Sequence, residues 1–166
     1  MLKWIGAICI VAGSGLSGID VYKQRKKELE TTEAFLKTIV FMKEEMHYTK
    51  TMIEAIFLKC ACMNNITSDF YSNIATGIKN GKVLNQLWKD EIEYVPNLND
   101  ALKPDLMEIG EVLGAVELDM QDNLISYKIE KIGHIKEELE QDLKGRYKVY
   151  PKIGFGVGAM LAVLLI

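Results

Sequence analysis

Charged residues are confined to the middle of this 166-residue chain, and this partition constrains its fold more than any other feature. The segment Trp4–Ile19 carries no charged side chain, and neither does Ile153–Ile166. All acidic residues, and every basic residue except Lys3, lie between residues 20 and 152. An uncharged run near each end and a charged middle long enough to bury a core predict a folded domain held between two membrane-inserted segments.

Each uncharged segment is short for a membrane span. As helices the two cover roughly 24 and 21 Å, against a hydrocarbon thickness of about 30 Å. Flanking residues extend them, since Lys3 and Lys152 can reach the headgroups and aromatic side chains such as Tyr150 suit the interface. A core helix of a soluble protein and a cleaved signal peptide are the alternative interpretations of the start. The glycine content and the lack of a disulfide framework among three cysteines favour an uncleaved anchor.

The basic residues predict how the chain is oriented. We expect an N-terminal transmembrane anchor over residues 1–20, a helical domain over 21–150 and a C-terminal transmembrane anchor over 151–166. Where the middle domain meets the anchors, the basic residues are Lys23, Arg25, Lys26, Lys27, Lys144, Arg146, Lys148 and Lys152. Because cytoplasmic flanks carry the excess of Lys and Arg, the middle domain is expected in the cytoplasm and both termini outside.

Small residues recur at a spacing of four in both anchors. The pairs are Gly13 with Ser17, Ser14 with Gly18, and Gly154 with Gly158. This small-xxx-small pattern lets membrane helices approach closely, so it predicts packing against another helix in the bilayer. The ordinary alternative is that small residues are simply common in such segments.

The middle of the chain has the apolar spacing of helices and no alternating runs typical of strands. Six helices are predicted. The first covers about 21–48, the second begins at a capping box formed by Thr51 and Glu54, and the third runs from Thr67 or Ser68 to a left-handed Gly81. The fourth covers 84–95 before Pro96, the fifth begins near Pro104, and the last covers about 117–147. The predicted fold class is all-α, a six-helix-type bundle with a transmembrane anchor at each terminus.

No catalytic or metal constellation stands out in the sequence. Glu44 and His47 have the Glu-x-x-His spacing of di-iron bundles, but His134, the other histidine, lacks it. Cys60 and Cys62 lack further ligands, so buried cysteines explain them more simply than a metal. We therefore expect no cofactor, no metal and no enzymatic activity, and the net charge of −3 disfavours nucleic acid as a partner.

Several strings spread along the whole chain resemble the stage III sporulation protein AB family. They are "MLKWIGAICIVAGSGLSGI" at the start, "FMKEEMHYTKT" over 41–51, "LMEIGEVLGAVELDMQ" over 106–121 and the closing "VLLI". They include Glu45, Tyr48 and Thr51, then Leu113, Gly114 and Gln121. Two departures are Met52, where that family usually has Pro, and Val116, where it often has Ser.

The resemblance implies a membrane component of the channel complex between mother cell and forespore. The family's cytoplasmic domain is similar to the six-helix domain of the inner-membrane platform protein of type II secretion, which docks an ATPase. We therefore expect a location in the mother-cell membrane, with stage III sporulation protein AA, an ATPase-like neighbour, and other sporulation channel proteins as partners. Candidate partner-binding residues are Glu45, Tyr48 and Gln121, unless they only orient helices. The alternatives are a generic membrane-tethered helical adaptor or regulatory protein, and a helical di-metal enzyme.

Overall fold

The computed structural model describes the backbone of residues 2–49, 52–113, 118–147, 149, 156 and 160, and the side chains of 19–47, 52–113, 122–145, 149, 156 and 160. Regular structure in these residues is helical throughout, which confirms the all-α prediction. The helices are α1 Leu2–Thr49, α2 Ile53–Met63, α3 Ser68–Lys79, α4 Leu84–Ile92, α5 Lys103–Val112 and α6 Leu118–Asp142. A π-helical segment, Leu143–Tyr147, follows α6.

The chain divides into two compact units. One comprises residues 29–137, and the other comprises residues 1–28 together with 138–166. The 29–137 unit holds the C-terminal part of α1, all of α2 to α5 and most of α6, and it contains the hydrophobic core. The predicted domain boundaries at residues 20 and 150 stay predictions.

Two predicted helix signals are confirmed by the structure. Gly81 follows α3 with φ +78°, a left-handed conformation that glycine adopts without steric cost. Its backbone N–H donates to the Ile78 carbonyl at 2.9 Å and so helps to close the end of the helix. Pro104 lies in the first turn of α5, where its missing N–H leaves no hydrogen bond unmade.

Two other predicted helix ends were wrong. α2 begins at Ile53 with Met52 as its cap instead of Thr51, because the Met52 carbonyl accepts the first helical hydrogen bonds. α4 ends at Ile92, three residues before the predicted end at Val95. The N–H of Tyr94 donates to Glu91 at 3.1 Å, so the chain tightens into a turn ahead of Pro96.

Aromatic rings from four helices form the centre of the core. Phe70 meets Phe35 edge-on at a centroid distance of 5.3 Å and Trp88 edge-on at 5.0 Å. Phe57 stacks on Tyr71 at 6.0 Å. Such pairs contribute about 0.5–1.5 kcal/mol each beyond their buried area. The rings thus join α1, α2, α3 and α4 around one centre.

The polar atoms of these buried rings have hydrogen-bond partners. The indole N–H of Trp88 donates to the Leu106 carbonyl of α5 at 2.7 Å. The Tyr71 hydroxyl lies 2.8 Å from Thr38 Oγ1, and that hydroxyl in turn bonds the Ala34 and Phe35 carbonyls. Burial raises the pKa of Tyr71, so its hydroxyl stays protonated and shares a hydrogen bond with the Thr38 hydroxyl. Each bond fixes a ring orientation as well as satisfying a buried group.

Gly110 of α5 allows Trp88 to pack against the helix backbone. A Cβ atom at position 110 would lie only 2.1 Å from Cδ1 of the indole ring. Because real contacts of a Cβ atom are far longer, any other residue at this position requires the ring or the helix to move.

Within the described part of the chain, no helix combines the length and the apolar character that a membrane span requires. The predicted anchor at each terminus is thus not supported by the structure and stays a prediction.

Candidate partner-binding site

A groove lies between the last turns of α1 and the first half of α6, in the 29–137 unit. Its volume is about 460 Å³, and its lining residues are Val40, Lys43, Glu44, His47, Asp122 and Ile129. The four residues of α1 share one face because they stand at helical spacing, as do the two of α6, seven apart. Lys43 Nζ lies 3.6 Å from Asp122 Oδ1 and so connects the two helices. The groove therefore combines two apolar side chains with charged and imidazole side chains.

Glu45, a predicted partner-binding residue, contacts α2 instead of the groove. Its carboxylate accepts a hydrogen bond from Lys59 Nζ at 2.6 Å, and its side chain is 17% exposed. This ion pair ties the end of α1 to α2. This contact is what we expect if Glu45 orients helices, the alternative that the sequence left open, and the role of Glu45 in partner binding stays a prediction.

Tyr48 and Gln121 lie in α1 and α6, but their side chains are outside the described residues. Their neighbours are described, and Asp122, next to Gln121, meets Lys43 of α1. The structure thus brings together the two helix segments that carry the predicted residues.

Glu44 and His47 both line the groove, yet they do not form a metal centre with Asp122. Among the described residues no group of three or more His, Cys, Asp or Glu side chains is placed to hold a metal ion.

The two cysteines of α2 face opposite ways. Cys62 is exposed, whereas Cys60 is fully buried, and its Sγ lies 3.9 Å from the Thr38 carbonyl as a weak donor. Burial, and then the negative charge of Glu45, raise the pKa of Cys60 to about 12. Cys60 is therefore a protonated packing residue at neutral pH.

A comparison with models of protein families identifies the family of the chain. The family model for stage III sporulation protein AB matches residues 3–166. The chain belongs to this family. No curated protein and no solved structure matches the chain significantly.

Sequence reasoning missed a buried charge cluster that joins α5 to α6 in this family member. Asp105 is fully buried, and its Oδ1 accepts hydrogen bonds from Lys128 at 2.7 Å and from Lys131 at 2.9 Å. Lys128 also contacts the carboxylate of Glu108. Lys128 stands three residues after Ile125 and four before Ile132, and both isoleucines are buried. This spacing places the lysine on the core face of α6, so it could have indicated a buried charge from the sequence.

The charges in this cluster stabilise one another. Burial by itself would raise the pKa of Asp105, but the hydrogen bonds and charges of Lys128 and Lys131 outweigh it, so the pKa is lowered. Burial would lower the pKa of Lys128, but its bonds to Asp105 and Glu108 raise it. Both groups are therefore ionised at neutral pH. The second carboxylate oxygen, Asp105 Oδ2, is buried without a hydrogen-bond partner. The cluster therefore joins α5 to α6 through Oδ1 alone of this carboxylate.

The predicted membrane-packing residues fall where the structure gives no side-chain detail. Gly13, Ser14, Ser17 and Gly18 lie within α1, and their side-chain surroundings are outside the described residues. Gly154 and Gly158 lie outside the described residues altogether.

Proposed function

We propose that this chain is a non-enzymatic structural component of the sporulation channel complex between mother cell and forespore. Family membership over residues 3–166 carries the proposal. The all-α bundle supports it, because the family's cytoplasmic domain is similar to the six-helix platform domain of type II secretion. In this role the bundle is a scaffold that acts by binding other proteins through its surface.

The proposal includes the mother-cell membrane as its location. The support comes from the sequence, in which Trp4–Ile19 and Ile153–Ile166 are uncharged and basic residues stand on the side of the middle domain. In this arrangement the bundle faces the cytoplasm and both termini lie outside. A tag inserted next to Gly81, in the exposed turn after α3, should be unreachable by protease from outside intact cells. Cleavage of that tag by protease added outside would show that the bundle lies outside the cell and that the proposed topology is wrong.

We assign the docking of the ATPase-like partner, stage III sporulation protein AA, to the end of α1 and the facing part of α6. The groove there presents Glu44 and Asp122 with Lys43 and His47, a mixed charge pattern that suits a polar protein surface. Glu45 and Tyr48 of α1 and Gln121 of α6 lie in the same two helix segments.

Co-purification of the ATPase with variants of the full chain tests this assignment. Glu44→Ala and Tyr48→Ala should each weaken binding by about tenfold, as the loss of roughly 1.4 kcal/mol of contact implies. Asp90→Ala on α4 is the control, because Asp90 is also an exposed carboxylate but lies away from the groove. If all three variants bind the ATPase equally well, the groove is not part of the interface.

The Glu45–Lys59 ion pair needs its own control because either substitution breaks it. If Glu45 touches the ATPase, Glu45→Ala should weaken binding and Lys59→Ala should not. Equal losses from both variants would show that the pair acts by holding α1 against α2. A strain that loses spores while its variant still binds the ATPase would favour the general adaptor role.

A further inference from the structure

The helix α6 is held in the bundle by few buried side chains. Among its described side chains, residues 122–142, those that are buried are Ile125, Lys128 and Ile132. The two isoleucines belong to the apolar core, and the third buried side chain is a charged lysine. Apolar contacts have no preferred direction, so they constrain the rotation of α6 about its axis only loosely. Hydrogen bonds are directional, so the bonds of Lys128 constrain that rotation more closely.

The groove and the buried charge cluster lie on two sides of α6. At about 100° per residue, Lys128 stands about 120° around the helix axis from Asp122, and the two buried isoleucines lie between them. Asp122 faces α1, where its carboxylate meets Lys43 Nζ at 3.6 Å. Lys128 faces α5, where its Nζ donates to Asp105 Oδ1 at 2.7 Å. α6 thus rests on the core between a polar contact to α1 and a polar contact to α5.

A small rotation of α6 is enough to change the groove. Helical side chains end roughly 5–6 Å from the helix axis, so a turn of about 30° moves such an end by roughly 3 Å. The contact between Lys43 and Asp122 spans 3.6 Å and would be lost after that movement. Ile129, seven residues after Asp122, lines the same groove and moves with it. Whatever fixes the rotation of α6 therefore fixes the α6 side of the groove.

The cluster around Asp105 has the geometry to fix this rotation. Asp105 is fully buried in α5, and its Oδ1 accepts hydrogen bonds from both Lys128 and Lys131. The two lysines stand three residues apart on α6 and therefore share one side of that helix. Lys128 also meets Glu108, three residues after Asp105 on α5. These contacts resist a turn of α6, because a turn displaces both lysines relative to one fixed oxygen.

We infer that Asp105 is a positioning residue for the groove. Through the lysines of α6, chiefly the buried Lys128, it sets the rotation of that helix, and this rotation places Asp122 and Ile129 in the groove. The buried ion pair then contributes order more than stability, since apolar side chains can often replace such a pair at little cost in stability. The consequence for ATPase binding rests on the proposed function, whereas the rotation of α6 does not.

A carbodiimide measures the placement of α6 in the purified full chain, because it joins an amine to a carboxylate only where the two are in contact. Lys43 and Asp122 should form one amide bond, the groove amide. Lys59 and Glu45, at 2.6 Å, should form a second one within the same molecule, the α2 amide. All four side chains are partly exposed, so the reagent reaches both pairs. Peptide mass spectrometry gives both yields, and the α2 amide reports whether α1 and α2 remain folded together.

The double variant Asp105→Leu/Lys128→Met separates positioning from stability. It removes the directional bonds of the pair, while apolar burial maintains the fold. Its groove amide should fall by about fivefold or more, because the hydrogen bonds that favour one rotation are gone, and its α2 amide should stay the same. Lys131→Met is the matched control. Lys128 still bonds Asp105 in this variant, so both amides should form as in the parent chain.

Asp105→Asn gives a second measurement with little change in side-chain size. It leaves the buried ammonium of Lys128 without its buried counter-charge, so Lys128 should turn toward Glu108, which is 56% exposed, and α6 with it. The groove amide should therefore fall selectively here as well. An unchanged groove amide in either variant, or an equal fall of both amides in both variants, would overturn the inference. If the groove amide falls while co-purification of the ATPase is unchanged, the positioning stands and the proposed docking site is wrong.

Discussion

Replacing Lys128 by Met removes the buried cation from the α5–α6 cluster and leaves Asp105 ionised in the core. The Lys128 and Asp105 side chains are 5% and 1% exposed, so water cannot solvate the remaining charge. Breaking such a buried pair from one side costs about 3–5 kcal/mol. Lys131 still donates to the same oxygen at 2.9 Å, so we expect a loss near the lower end, about 3 kcal/mol.

Lys131→Met is the matched control. It removes the same group from the same acceptor oxygen, but the Lys131 side chain is 48% exposed. Exposed ion pairs contribute about 0–1 kcal/mol, so this variant should unfold within about 1 kcal/mol of the parent chain. Urea unfolding of the full chain, followed by helical circular dichroism, measures both. A Lys131→Met variant as unstable as Lys128→Met would refute the reasoning, because burial would then not decide the cost.

The single variant Asp105→Leu and the double variant Asp105→Leu/Lys128→Met complete a double-mutant cycle with Lys128→Met. Apolar replacement of a whole buried ion pair is often neutral or stabilising, so the double variant should recover most of the stability that Lys128→Met loses. If the two substitutions instead add, the two residues do not interact as the distance of 2.7 Å implies.

The pair also predicts how stability depends on pH. The pKa of Asp105 is lowered by folding, so its contribution is present above its unfolded pKa of about 4 and is lost as pH falls through the folded value. The pKa of Lys128 is raised, so its contribution is present below its unfolded pKa of about 10.5 and is lost as pH rises through the folded value. The double variant should have the flatter profile at both ends.

Three further results are expected from single substitutions and labelling. Gly110→Ala should cost about 1–3 kcal/mol because its Cβ would meet the indole ring, whereas Gly133→Ala in the open part of α6 should be neutral or slightly stabilising in thermal unfolding. An alkylating reagent should modify Cys62 in the folded chain and leave Cys60 unmodified until urea exposes it; equal rates would contradict the burial of Cys60. Gly158→Leu should lower spore yield at normal protein level if the second anchor packs against another helix, and normal yield would make that anchor a simple tether.

Local sequence signals were sufficient for most of the helices. Gly81 and Pro104 were interpreted correctly because each acts through its own backbone conformation, independently of distant residues. The start of α2 was predicted one residue early, since Met52, without a capping side chain, closes the first turn through its carbonyl. Such a difference depends on backbone geometry that a capping motif does not record.

For the core and the candidate site, contacts between residues far apart in the sequence limited what could be predicted. Thr38 stands three residues after Phe35 and four before Met42, a spacing that indicates its burial on α1 but not its hydrogen bond to Tyr71 on another helix. Glu45 was selected from its match to the family strings, while its contact with Lys59 joins residues 14 apart along the chain. Lys128 also left a local signal, because it is a charged residue on the buried stripe of α6, but the signal does not name Asp105 as its partner.

The groove between α1 and α6 would bind a partner mainly through charged groups. Lys43, Glu44 and Asp122 line it, so a contact made there weakens as salt screens these charges over about 8–10 Å at ordinary ionic strength. The core of the bundle depends on apolar burial, which changes little with salt. Raising the salt concentration should therefore weaken co-purification of the ATPase while the helical circular dichroism of the bundle stays the same. Co-purification that does not depend on salt would show that the charged groups of the groove do not carry the contact.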